Sequence, residues 1–169
     1  RVIRRADGCY SGESGTVCCV MTADCLPILL CNRQGTEVAA LHAGWRGLAD
    51  GIVASGISHF KTPATELQAW LGPAIGKANF EVGVHVDRTF LRNAPAWGSV
   101  SDIEHCFTPA QQSDRWYADL YALARLALKA QGLVRVYGGQ FCTYADTDRF
   151  YSFRRDGQTG RMASLIWIS

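Results

Sequence analysis

Residues 22–47, TADCLPILLCNRQGTEVAALHAGWRG, decide the fold and supply the first candidates for chemistry. Two apolar runs, 26–31 and 37–41, flank Asn32-Arg33-Gln34-Gly35. That polar segment has the Asn and Gly that a four-residue hairpin loop favours. With Cys31 facing Thr36 across the loop, continued pairing sets Cys25 directly opposite His42. Residues paired in this way share a face, with Cβ atoms about 4.5–5.5 Å apart, near enough to share a metal ion or a proton. Pro27 strains this register, because it cannot donate to a ladder and belongs at an edge or an end. After His42, Ala-Gly-Trp-Arg-Gly forms a glycine-flanked exit into a helix predicted over 48–60. Arg46 stands near its start as a forked donor, where free N–H groups and the helix dipole attract an anion. Taken singly, Cys25 reads more simply as core filler and His42 as a structural imidazole; the pairing is what joins them.

The rest of the chain supplies a scaffold. A length of 169 residues at 48% hydrophobic composition suits one domain over the whole chain, burying roughly 70% of its unfolded surface. A net charge of +2 argues against nucleic acid and against a membrane surface as charge-driven partners. Arginine outnumbers lysine fourteen to three, which suits recognition of phosphate or carboxylate but also follows from genome composition. The seven cysteines are odd in number and lack a CxxC spacing. With no signal peptide and no apolar run of membrane length, they predict a cytoplasmic, reduced protein.

Strands are predicted at 16–22, 67–71, 133–137 and 163–168, besides the hairpin. A helical spacing of apolar residues covers 82–92, an Ala- and Leu-rich helix covers 117–131, and Gly132 stops it. Residues 93–114 read as a long connection. Hairpins mixed with crossover helices imply an α/β protein with mixed sheets.

TADC, HAGWRG, LGPAIG with FEVG, and FRRDGQTGRMASLIWI together resemble the YfiH-like family, whose members carry the labels laccase-domain polyphenol oxidase, peptidoglycan editing factor and purine nucleoside phosphorylase. The resemblance runs in order from Arg5 to Ile168. It implies a layered sandwich of mixed sheets with helices outside, similar also to cysteine-hydrolase toxin folds. It further implies a metal, zinc or else copper, at Cys25 and His42, with a second histidine from an upstream Q-V-H-G motif that is absent here. The sequence thus looks like the family's domain without its N-terminal third.

Three function classes compete on these residues. The resemblance implies a purine nucleoside enzyme acting with phosphate on adenosine, inosine or S-methyl-5′-thioadenosine, with adenosine deamination as a second activity. Its catalytic candidates are Cys25, His42 and Arg46, the last as phosphate contact. A cysteine amidase or deamidase would use Cys25 as thiolate and His42 as base. A copper-dependent polyphenol oxidase needs several imidazoles per cluster, which four histidines in all supply poorly. Asp7 in RADG and Asp24 beside Cys25 are candidates for substrate binding, for a proton-transfer group or for a carboxylate that orients the Cys25–His42 pair, with Asp24 expected on the opposite strand face unless Pro27 bends the chain. Arg154 and Arg155 read either as a solvated turn or as ligand-binding donors. His59, His85 and His105 lack ligand spacing to one another.

Overall fold

A strand whose side chains are nearly all apolar must be covered on both faces, and that requirement organises the computed structural model, which describes residues 6–169. Strands β1 (Gly8–Ser11), β2 (Cys18–Thr22), β3 (Leu26–Asn32), β4 (Val38–Ala43) and β5 (Leu67–Leu71) come first in the chain. They are followed by β6 (Glu81–Gly83), β7 (Phe107–Pro109), β8 (Arg115–Ala118), β9 (Arg135–Gly138) and β10 (Met162–Ile166). β3 and β4 lie at the centre of a five-stranded sheet in the order β1-β4-β3-β5-β9, antiparallel except for the parallel β5–β9 pair.

Ile28, Leu30, Ala39 and Leu41 face the main core, which is closed by helices α1 (Trp45–Ala49), α2 (Ile52–Ile57) and α6 (Leu120–Ala130). Val38 and Ala40 face the other way, onto a smaller core with Cys18 and Val20 under the two-stranded ribbon β2–β10. The result is the expected layered sandwich of helices, mixed sheet and ribbon. A small antiparallel sheet, β6-β8-β7, lies beside it. α6 carries Leu123, Ala124 and Leu128 into the core, and the Asp119 carboxylate caps it by accepting the Ala122 N–H at 2.9 Å. Each such leucine contributes about 1.5–3 kcal/mol through burial.

Several expected boundaries move. The helix expected over 48–60 breaks in two at Gly51, whose φ of 91° only glycine adopts cheaply. The first two residues of the expected 82–92 helix, Val82 and Gly83, belong to β6, and the helix α3 is Val84–Leu91. Residues 115–118 are β8, and α6 begins at Leu120. The expected connection over 93–114 holds α4 (Ala94–Trp97), α5 (Val100–Glu104) and β7. α5 is announced by a capping box in which Ser99 and Asp102 satisfy each other's backbone. β1 and the single-turn helix α7 (Phe153–Asp156) are additional elements, too short to leave a period in the sequence.

Candidate active site

The hairpin carries the site, in a register displaced by two from the expected one. Cys31 pairs with Val38 and Pro27 with His42, so Cys25 is not directly opposite His42. The cause is Asn32, which stays in the ladder. Its backbone N–H donates to Glu37 O at 3.1 Å, and its side-chain oxygen accepts the N–H groups of Thr36 and Glu37 at 2.8 and 3.2 Å. The loop therefore falls on Arg33-Gln34-Gly35-Thr36. A shift of two residues preserves the face each side chain occupies, so Cys25 and His42 become diagonal neighbours. Pro27 is tolerated because His42 turns its own N–H to Asp7 O at 2.7 Å, away from β3.

Gly44 shows how closely the two side chains approach each other. A Cβ placed on it would lie 3.0 Å from Cys25 Sγ and 3.8 Å from His42 Cε1. The thiol and the imidazole thus converge above a residue that has no side chain. His42 Nδ1 meets an Asp7 carboxylate oxygen at 3.2 Å; with Nδ1–H donating, Nε2 is left as the free lone pair. His42 and Asp7 border a cavity of about 410 Å³ whose other walls include Cys9, Cys19 and Met21 of β1 and β2. A second cavity of about 400 Å³, between β1 and α2, is lined by Tyr10, Leu41, Ile52 and His59 and contains neither Cys25 nor His42.

Asp24 has φ 85°, the one positive value outside glycine among the described residues. It takes the chain out of strand alternation just before Cys25. Its buried carboxylate accepts from Thr143 Oγ1 at 2.7 Å and from the Arg154 N–H at 2.6 Å, and its carbonyl accepts from the Ile75 N–H at 3.0 Å. Three such anchors hold a conformation that otherwise costs on the order of 1–3 kcal/mol. Asp24 therefore shapes the turn that presents Cys25.

Burial pushes the Cys25 thiol above its ordinary range; Asp24 adds to this, Arg161 opposes it, and Asp7 adds again. Arg46 is exposed, stacks over the Trp45 ring at 4.5 Å and forms no ion pair among the described residues. Arg154 lies over Phe80 and donates to Glu81 O at 2.9 Å. Arg155 is committed to structure: its guanidinium donates to the carbonyls of Thr143, Tyr144 and Phe150 and to the Asp156 carboxylate. The other histidines stand apart, His59 on Tyr10, His85 edge-on to Trp45, and His105 at the end of α5. Arg161 was not among the residues singled out from sequence, although it closes the RRDGQTGR turn immediately before β10.

A structural zinc site takes four ligands and a catalytic one at least three. Cys25 Sγ and His42 Nε2 offer two, and no group of three His, Cys, Asp or Glu side chains able to hold a metal occurs among the described residues. The pair alone is an incomplete metal site.

A thiol and an imidazole at the end of a sheet, braced by a carboxylate and flanked by arginines, define an enzyme-like site on a layered α/β scaffold. The chain belongs to the family described as multi-copper polyphenol oxidoreductase laccase, whose model matches residues 1–169. It is 50% identical over 165 residues to the purine nucleoside phosphorylase YfiH of Escherichia coli, with 98% of this chain and 65% of that protein covered. It is 48% identical over 166 residues to the purine nucleoside phosphorylase PA4543 of Pseudomonas aeruginosa, covering 98% and 66%. The crystal structure of Neisseria meningitidis protein NMB0706 superposes with a TM-score of 0.89 at 49% identity, covering 97% of this chain and 65% of that one. The chain thus spans just under two thirds of the length of these relatives.

Proposed function

We propose that this domain carries the reacting groups of a purine nucleoside phosphorylase. The observation that carries the reading is the convergence of Cys25 and His42 over Gly44, with His42 on the wall of a cavity that Cys25 does not line, in a chain about half identical to proteins of that name. In phosphorolysis an oxygen of hydrogen phosphate bonds to C1′ of the ribose as the C1′–N9 bond breaks. The phosphate proton ends on the purine nitrogen, giving ribose 1-phosphate and the free base. His42, with Nδ1 held by Asp7 and Nε2 free, stands where it can carry that proton. Arg46, exposed over the Trp45 ring, is the cation that the hairpin side offers to an approaching anion. Adenosine, inosine and S-methyl-5′-thioadenosine are the proposed substrates.

Deamination of adenosine, in which water replaces the amino group at C6 and ammonia leaves, is the proposed second activity. Zinc or copper is proposed at Cys25 and His42, with a further donor from outside the described residues. A cysteine hydrolase is less well supported, because cysteine nucleophiles sit in surroundings that lower the thiol pKa and here burial raises it. A multicopper oxidase is disfavoured by the scatter of the four histidines over separate neighbourhoods. All seven cysteines are free thiols, and among the described residues no helix is long and apolar enough to cross a membrane.

The test is inosine cleavage by the purified chain, followed as hypoxanthine and ribose 1-phosphate. Cleavage should require inorganic phosphate, and His42→Ala should reduce it by about 100-fold or more. Intact inosine in the presence of phosphate, or equal cleavage by the variant, would refute the reading.

A further inference from the structure

The turn between α7 and β10 is built to present one guanidinium. Arg161 Nη1 donates to Thr159 O and to Gly160 O, each at 2.9 Å, which fixes the planar group against its own turn. The turn is itself braced: the Asp156 carboxylate holds Arg155, whose guanidinium grips three backbone carbonyls. The Tyr151 ring lies against Gly160, where a Cβ would come within 2.8 Å of it. Arg161 forms no ion pair among the described residues, and its Nε and Nη2 donate to no protein group there.

Its position ties it to the site. Met162 pairs with Thr22 in the ribbon, so one further step of the register sets Arg161 opposite Ala23, two residues before Cys25. Thr22, on the inward face of the same strand end, has the only buried side-chain oxygen without a hydrogen-bond partner among the described residues.

We propose that Arg161 is the phosphate-binding residue of the site, its braced guanidinium holding inorganic phosphate beside Cys25 and His42 from the ribbon side. The proposal rests on the phosphorylase reading and deepens it by fixing where the nucleophile enters. A guanidinium with two outward donors on one edge matches two phosphate oxygens, whereas Arg46 is spread over the Trp45 ring.

The experiment compares wild type, Arg161→Ala and Arg161→Lys in two assays. In inosine cleavage at varied phosphate, Arg161→Ala should raise the KM for phosphate about tenfold or more with the KM for inosine changed less than about twofold, and Arg161→Lys should recover part of the loss. In thermal melts, inorganic phosphate should raise the Tm of wild type and of Arg161→Lys but not of Arg161→Ala. An unchanged KM for phosphate in Arg161→Ala, or an undiminished phosphate-dependent rise in its Tm, would overturn the proposal. If wild type cleaves no purine nucleoside, the phosphorylase reading falls, while the melts with phosphate still decide whether Arg161 binds it. Were Arg161 only a brace for its turn, the variants would lower the Tm without phosphate and leave the phosphate-dependent rise intact.

Discussion

At the scale of single residues, the site depends as much on a missing side chain as on those present. Gly44 lies beneath Cys25 Sγ and His42 Cε1, and a methyl group there presses on the sulfur at 3.0 Å, closer than ordinary van der Waals contact. Because Gly44 has φ −62° and ψ 160°, alanine adopts its backbone without strain. Gly44→Ala should therefore displace the thiol while changing stability little, lowering activity by about tenfold or more at a nearly unchanged Tm. Wild-type activity in that variant would show that the placement of Cys25 is unimportant. A second expectation concerns metal. Two donors bind zinc far more weakly than three, so zinc added to this chain alone should be removed by brief dialysis against a chelator. Stoichiometric zinc surviving that treatment would reveal a further ligand. The nearness of Cys25 and His42 was legible because both lie on one hairpin whose pairing puts them on the same face. Arg161 was hidden because its relation to Cys25 passes through ribbon pairing across more than a hundred residues, which no local pattern records.

At the scale of elements, the hairpin existed in the sequence but its register did not. Alternation of apolar residues fixes which face each side chain takes, and that part of the reading stands. The choice between two loops differing by one residue rests on Asn32, whose side chain satisfies Thr36 and Glu37 in the folded turn. Propensity alone places Asn inside a loop. The helix after Trp45 shows the same limit. Its apolar spacing continues through Gly51, yet the chain turns left-handed there and restarts, and α1 and α2 both pack on the sheet and on α6. Gly51→Ala tests this. No atom lies within 4 Å of the added methyl, so the cost is conformational alone, about 1–2 kcal/mol. That corresponds to a Tm lower by roughly 2–8 °C for a domain of this size. No change, or a stabilised protein, would show that this junction relaxes into a continuous helix.

At the scale of the whole molecule, burial of both faces of β3 and β4 announced a layered architecture, while the charged group that ties the layers together gave no sign of itself. Glu37, immediately before β4, opens the 37–41 run of the hairpin. In the fold it is buried and joins three parts of the chain. It accepts from Tyr10 Oη of β1 at 2.6 Å, from the Lys61 and Thr62 N–H groups beyond α2 at 2.7 and 3.1 Å, from the Thr62 hydroxyl, and from the Asn32 side chain at 3.3 Å. Burial pushes its pKa up, but the bonds from Thr62, Tyr10 and Lys61 outweigh that and bring it down from 4.5 to about 2. The unfolded chain therefore takes up the proton more readily than the folded one. The stabilisation is complete above the ordinary value near 4.5 and is lost as the pH falls towards about 2. Its size is on the order of 3 kcal/mol. Glu37→Gln removes the charge and sets an amide donor among donors, so the variant should be less stable than wild type at neutral pH. The gap should close as the pH is lowered from about 4.5 towards 2, while exposed carboxylates affect both proteins alike. Denaturant unfolding of the two proteins across that range measures the difference directly. A gap that stays constant with pH would mean that the Glu37 network stabilises the fold through packing and not through its charge.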